Sequence, residues 1–351
     1  MPNSNSEAPA GALRVAIRPA FERALRKAIP PSKISIKSPM NSPNFTRRQV
    51  LRLAIPALGG AFLDDKLLAK PAALDRPLFS FGLLGDPQYA DVDPAGSRHY
   101  RASLGKLKAC IARLNQEDLE FVVTVGDIID RDFASIAPIM KVYESLKAEH
   151  RSVLGNHDFS VNNQFKAKVP AALGMNARYL SDTRKGWRFI RLDGTELADY
   201  AHPQGSPRYK ETQQNLQTLR ASGGEQTRSC SHGIGDQQMA WLRRELEDSA
   251  AQGQRALIFN HFPAMRKGTP VRSWNSRELV TLLEEHKHTA AYFNGHHHAG
   301  RYHAHEGIHY LNVKGMVETA KDTAYAIVRA YPDRLEIHGF GTEPTRDLKI
   351  R

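Results

Sequence analysis

The chain has 351 residues, with 49 Lys plus Arg against 37 Asp plus Glu, which is enough for one large or two ordinary domains with a sizeable core. Two cysteines, Cys110 and Cys230, exclude a zinc knuckle, a Cys-rich metal site and a disulfide framework. The net charge of +12 suggests a polyanion partner, but residues 1 to 76 hold 13 basic and 5 acidic side chains, leaving 36 and 32 for the remainder, so the main body is not a basic face and no nucleic-acid partner is expected.

Residues 1 to 39 are rich in Ser, Pro, Ala and basic residues with little to bury, a composition expected to be disordered or to precede the true start. A chain beginning at Met40 would open with a polar stretch, the pair Arg47 and Arg48, and the apolar run Leu53 to Leu63. That run is too short to span a bilayer and suits the apolar region of a signal, so no stable membrane span is expected. The stretch TRRQVLR resembles the twin-arginine export consensus. Residues 40 to 76 are therefore read as signal and linker on an exported, periplasmic or extracytoplasmic protein, with a cytoplasmic protein carrying a basic tail as the alternative.

From residue 77 to 345 the pattern is that of one folded domain. Short apolar runs read as strands: LFSFGLLGD (78 to 86), FVVTVGD (121 to 127), SVLGN (152 to 156), WRFIRLDG (187 to 194), ALIFNH (256 to 261) and AAYFNGH (290 to 296). Helical spacing runs over 97 to 115, through Tyr100, Leu104, Leu107, Ile111 and Leu114, then over 134 to 149 and 236 to 246. Residues 307 to 340 are β-rich, so an α/β layered domain ending in antiparallel hairpins is expected. Residues 195 to 235 are polar and lack periodicity, which predicts a long loop or insertion.

The chemistry sits just past the strand ends, in GDPQYAD (85 to 91), GDIID (126 to 130), GNHD (155 to 158), NHFP (260 to 263) and GHHH (295 to 298). The carboxyl edge of a sheet is where α/β proteins build sites. Asp, Asn, Gln and His without Cys form a hard to intermediate donor set suited to Mn²⁺, Fe or Zn²⁺. Any one cluster is explained as a turn, a cap or solvated surface. Five together resemble the calcineurin-like metallophosphoesterase pattern, D-x-H, GDxxD, GNH[DE], a lone His, then GHxH, over residues 79 to 340. The resemblance implies a four-layer αββα sandwich with a dinuclear metal centre. By position it gives Asp86, Gln88, Asp127 and His298 to one ion and Asp127, Asn156, His261 and His296 to the other. Alternation along a strand would turn His297 away from its two neighbours. His157 would serve as proton or hydrogen-bond donor to the leaving group, with Asp130 orienting its ring or, alternatively, capping a helix.

The departure from the pattern is Gln88, where the family has His. A neutral amide oxygen is compatible with Mn²⁺ and less attractive to zinc. With the segment GMVET (315 to 319), it makes the chain similar to the manganese-dependent ADP-ribose/CDP-alcohol diphosphatases. That resemblance implies a phosphorus-bond hydrolase cleaving a small-molecule nucleotide diphosphate by a metal-activated hydroxide, with two divalent ions, Mn²⁺ foremost. Alternatives are a cyclic nucleotide, a phosphodiester lipid or a phosphomonoester as substrate, or a metal-bearing binding module without catalysis. Tyr89, Phe159, Phe262 and Trp274 are candidates to stack on a base, and Arg98, Arg101 and Arg131 to meet a second phosphate.

Overall fold

The computed structural model describes residues 76–221, 232–264 and 273–351. The expectations for residues 1 to 39 and for the twin-arginine signal lie outside the described residues. Among those described, no helix is long and apolar enough to cross a membrane.

Among the described residues, twelve strands make two six-stranded sheets. In the first, β1 (Phe79–Leu84), β2 (Phe121–Val125) and β3 (Glu149–Val153) are parallel, and β10 (Ala324–Ala330), β11 (Arg334–Gly341) and β12 (Arg346–Lys349) extend it antiparallel on the far side of β1. In the second, β5 (Trp187–Arg191), β6 (Arg255–Phe259), β7 (Thr289–Asn294) and β9 (Ile308–Asn312) are parallel, with β4 (Leu180–Arg184) and β8 (Arg301–His305) antiparallel at the two edges. The sheets face each other across an apolar layer. Phe81 and Phe121 of the first sheet stack at 5.0 Å, and Phe189 and Phe293 of the second meet them edge-on at 5.1 and 6.0 Å. Helices α1 (Ser103–Leu114), α2 (Ile136–Tyr143) and the short α3 (Val169–Ala172) cover the outer face of the first sheet through Leu107, Ile111, Ile139 and Val169. Helices α5 (Asp236–Ala251) and α6 (Ser276–Glu285) cover the second through Leu242, Leu246, Leu279 and Leu283. The expected four-layer αββα sandwich is thus the architecture. Burial on both faces is why β1, β2 and β7 read as continuous apolar runs with no alternation.

Several expectations need correction. Residues 195 to 235 are not an element-free insertion, because α4 (Pro207–Ala221) fills much of them. Its sequence PRYKETQQNLQTLRA is rich in good helix formers but has too few apolar residues for a readable stripe, and one of them, Leu216, is buried. The domain does not stop at 345: β12 adds an edge strand, and Leu348 and Ile350 enter the layer between the sheets. The first helix begins at Ser103 rather than 97. His99 N–H instead donates to Val317 O at 2.8 Å, which commits the preceding turn to pairing with the GMVET segment. The second helix ends at Tyr143, since Glu149 already pairs in β3.

Candidate metal centre

Each motif occupies the turn leaving a strand: Asp86 and Gln88 follow β1, Asp127 and Asp130 follow β2, Asn156 and His157 follow β3, His261 follows β6, and His296 and His298 follow β7. Four of these residues hold left-handed backbone, with φ of 49° at Asp86, 43° at Gln88, 52° at Asp127 and 71° at His296. Such conformations cost on the order of 1–3 kcal/mol each and persist where the surroundings fix them. The surroundings here are named groups. Asp158, fully buried, accepts from the N–H groups of Asp127, Ile128, Ile129 and Gly155 at 2.7 to 3.1 Å, clamping the β2 turn onto the β3 turn. His296 N–H donates to Asp86 Oδ1 at 2.9 Å, tying the second sheet to the first. A Cβ on Gly155 would collide with the Asp127 carboxylate, so that position needs glycine for close approach.

Seven side chains from both sheets converge. One donor group is Asp127, His261 and His296, and the other is Asp86, Asp127 and His298, each set of donor atoms lying within 4.8 Å and sharing Asp127. Asn156 Oδ1 sits 3.2 Å from His261 Nε2 and 3.0 Å from His296 Nδ1, which adds it to the first group. Gln88 Nε2 lies 3.0 Å from Asp127 Oδ2 and 3.2 Å from His298 Nε2, which adds it to the second. Second partners fix which ring nitrogen faces inward. His261 Nδ1 meets Val125 O at 2.9 Å, and His298 Nδ1 meets Glu318 Oε1 at 2.6 Å. His297 belongs to neither group. The reason is not strand alternation, because β7 has ended at Asn294 and the left-handed His296 sets the turn.

The donor set fits a pair of divalent ions. Gln88 Oε1 is buried without a hydrogen-bond partner, although interiors pair nearly all such atoms. Turning that amide over would set its oxygen against the Asp127 carboxylate and His298 Nε2, a cluster of acceptors that a cation reconciles. At two of the three imidazoles the local field favours positive charge, whereas burial and the charge of His261 hold His296 well down. Burial works against protonated His261, yet the Asp127 carboxylate outweighs it and pushes the imidazole up to about 9; His298, opposed by burial and favoured by Asp86, also rises to about 9.

His157 N–H donates to Asp127 Oδ1 at 2.8 Å, so its backbone is part of the cluster while its ring stands beside it. Nδ1 is 3.0 Å from Asp130 Oδ2, and Nε2 is 3.4 Å from Arg98 Nη1. Burial lowers the pKa of this imidazole, but the charges of Asp127 and Asp130 prevail and raise it. Asp130 is not a helix cap. That part falls to Asp132, whose Oδ1 accepts from Ala134 N–H.

Of the arginine candidates, Arg98 reaches the His157 ring, and Arg131 reaches only Asp130 of these residues, its backbone N–H 2.7 Å and its Nε 3.8 Å from Oδ1. Arg101 pairs with Asp91 and Asp93, and Arg131 donates to Tyr100 Oη at 2.9 Å. Tyr89, Phe159 and Phe262 are buried packing residues, while Trp274 covers Gly233. Sequence reasoning assigned no role to Asp158 or Glu318. The fourth residue of GNHD and the GMVET segment were the available signals.

Two sheets that deliver carboxylate, amide and imidazole donors from their strand ends to a shared carboxylate define a metal-dependent hydrolase centre. The family model described as calcineurin-like phosphoesterase matches residues 79–300, and the chain belongs to that family. It is a hydrolase of phosphorus-containing bonds. Among similar proteins, the manganese-dependent ADP-ribose/CDP-alcohol diphosphatase of Mus musculus is 28% identical over 338 residues, covering 82% of this chain and 98% of that one. The protein of the same name from Arabidopsis thaliana is 26% identical over 310 residues, covering 79% and 99%. A solved dimetal phosphatase from Danio rerio superposes with a TM-score of 0.70 at 23% identity, over 78% of this chain and 100% of that one, a likeness of fold.

Proposed function

We propose that this protein is a manganese-dependent diphosphatase acting on nucleotide diphosphates of the ADP-ribose or CDP-alcohol type. The observation that carries the reading is Gln88 within a complete set of donors. An amide supplies neutral oxygen where the family pattern has imidazole, and the relatives that share most of the chain's length carry manganese-dependent diphosphatase names. Asp86, Gln88, Asp127 and His298 would hold one ion, and Asp127, Asn156, His261 and His296 the other. A pair of divalent ions, when bound, supplies charge for phosphoryl oxygens and a water acidic enough to yield hydroxide near neutral pH.

The chain's own residues do the rest. Asp130, buried at 1% exposure, sets its carboxylate 3.0 Å from His157 Nδ1, an ion pair that favours the protonated ring; with Arg98, which can only donate, turned from Nε2 to the substrate, Nε2–H donates toward the leaving oxygen. Arg98, beside Nε2, meets the second phosphoryl group, which a monoester lacks. His157 and Arg98 thus read the far half of a diphosphate, while the donor cluster takes the near half.

The test is product analysis. Purified protein with Mn²⁺ should convert ADP-ribose to AMP and ribose 5-phosphate, and CDP-choline to CMP and phosphocholine, faster than with Mg²⁺. Release of neither nucleoside monophosphate, from protein that hydrolyses an aryl phosphate under the same conditions, would refute the diphosphatase reading.

A further inference from the structure

The segment Gly315-Met316-Val317-Glu318-Thr319 supplies no donor to either group, yet it is tied to the centre along its length. Met316 N–H donates to Gly85 O at 2.9 Å, Val317 N–H to Asp86 O at 3.0 Å, and Gly315 N–H to His298 O at 3.1 Å. From the other side, His99 N–H donates to Val317 O at 2.8 Å and Thr319 N–H to Ser97 O at 3.2 Å. Beneath it lies Lys106 of α1, a lysine only 5% exposed. Its amine donates to the carbonyls of Met316, of Glu318 at 3.0 Å and of Thr319 at 2.9 Å, which uses all three of its donors. Burying an ammonium is costly, and this one is accommodated by three carbonyls of a single five-residue stretch.

The outcome of that anchoring is the position of Glu318. Its Oε1 meets His298 Nδ1 at 2.6 Å, and His298 Nε2 then faces Gln88 Nε2 at 3.2 Å and Asp86 Oδ1 at 3.6 Å. The two donor groups differ here. The group with Asp127, Asn156, His261 and His296 has two imidazoles, and His261 is backed by the neutral carbonyl of Val125. The group with Asp86, Gln88 and Asp127 has His298 alone, backed by a carboxylate. A carboxylate behind a ligating imidazole fixes its tautomer and strengthens its donation.

We propose that Glu318, held in place by Lys106, is a positioning residue that orients His298 and strengthens it as a donor to the ion held with Asp86 and Gln88. The proposal rests on the two-ion reading above and deepens it, giving the GMVET segment a task.

The experiment titrates metal-free full-length protein with Mn²⁺ by calorimetry and follows the His298 ring N–H by NMR before metal is added. Wild type should bind two ions, and its His298 Nδ1–H signal should lie far downfield. Glu318→Gln should weaken one binding step by roughly 10- to 100-fold, leave the other unchanged, and move the ring signal upfield. Lys106→Met should reproduce the pattern, and the double variant should be no weaker than Glu318→Gln alone, because both residues act through one chain. Wild-type titrations in both variants would overturn the proposal. So would parallel weakening of both steps with a fall in melting temperature, the signature of a general structural brace. Fewer than two ions on wild type would overturn the two-ion reading as well, which separates the two failures.

Discussion

Replacing His157 by Ala should separate metal binding from proton donation. The backbone N–H of residue 157 donates to Asp127 Oδ1 and survives the change, so the donor cluster keeps its geometry and both ions should remain. What is lost is the ring between Asp130 and Arg98. A positioned acid is worth about 10²–10⁴ in rate, or roughly 3–5 kcal/mol of barrier. Removing the ring also leaves the Asp130 carboxylate with Arg131 N–H at 2.7 Å as its remaining close donor, so stability should fall by about 1–3 kcal/mol. Asp130→Asn preserves an acceptor for Nδ1 and removes only the charge, so its rate loss should be smaller than that of His157→Ala. The assay combines metal analysis with turnover on a series of diesters whose leaving groups differ in basicity. His157→Ala should lose most on the most basic leaving group, since that group depends most on a donated proton. Full activity in His157→Ala, or loss of an ion from it, would refute the assignment.

Asp127→Asn should abolish turnover and lower metal content together, because the shared carboxylate faces both donor groups and neutralises the charge they gather; retention of two ions would contradict this. Gly155→Ala should likewise lose metal affinity, because its Cβ would displace the Asp127 carboxylate; a wild-type titration would show that the turn accommodates a methyl. His150 stacks on Tyr143 at 3.7 Å and is held down to about 3 by burial and by the charge of Arg191. The unfolded chain takes up this proton near its ordinary value of about 6.5 and the folded chain does not, so stability should fall as pH drops from about 6.5 toward 3. Chemical unfolding across that range should show His150→Phe with a shallower acid decline, and an unchanged decline would remove His150 as its cause.

The sheets and the donors were legible in the sequence for a shared physical reason. Strands buried on both faces, such as Phe79–Leu84 and Phe121–Val125, leave uninterrupted apolar runs, and the polar residues that end them are the donors. Edge elements were not legible. Arg301–His305 and Arg346–Lys349 are largely exposed and carry no apolar run, and Pro207–Ala221 is a helix stabilised by composition and one buried face too narrow to read. The supporting residues were hidden for another reason. Asp158 and Glu318 lie inside GNHD and GMVET, but their partners are mostly backbone groups and rings distant in sequence, so the motifs alone did not show their task; Lys106 has no local mark at all.

The central claim is that this centre takes a diphosphate in preference to other phosphoryl groups. Its most direct test is the ratio of kcat/KM for ADP-ribose to that for p-nitrophenyl phosphate, measured on one Mn²⁺-loaded preparation. The proposed charge-assisted contact from Arg98 to the second phosphoryl group would contribute about 1.5–3 kcal/mol, so the ratio should exceed roughly 10 and approach about 100. A ratio below one, or faster turnover of cyclic AMP than of either ADP-ribose or CDP-choline, would contradict the claim.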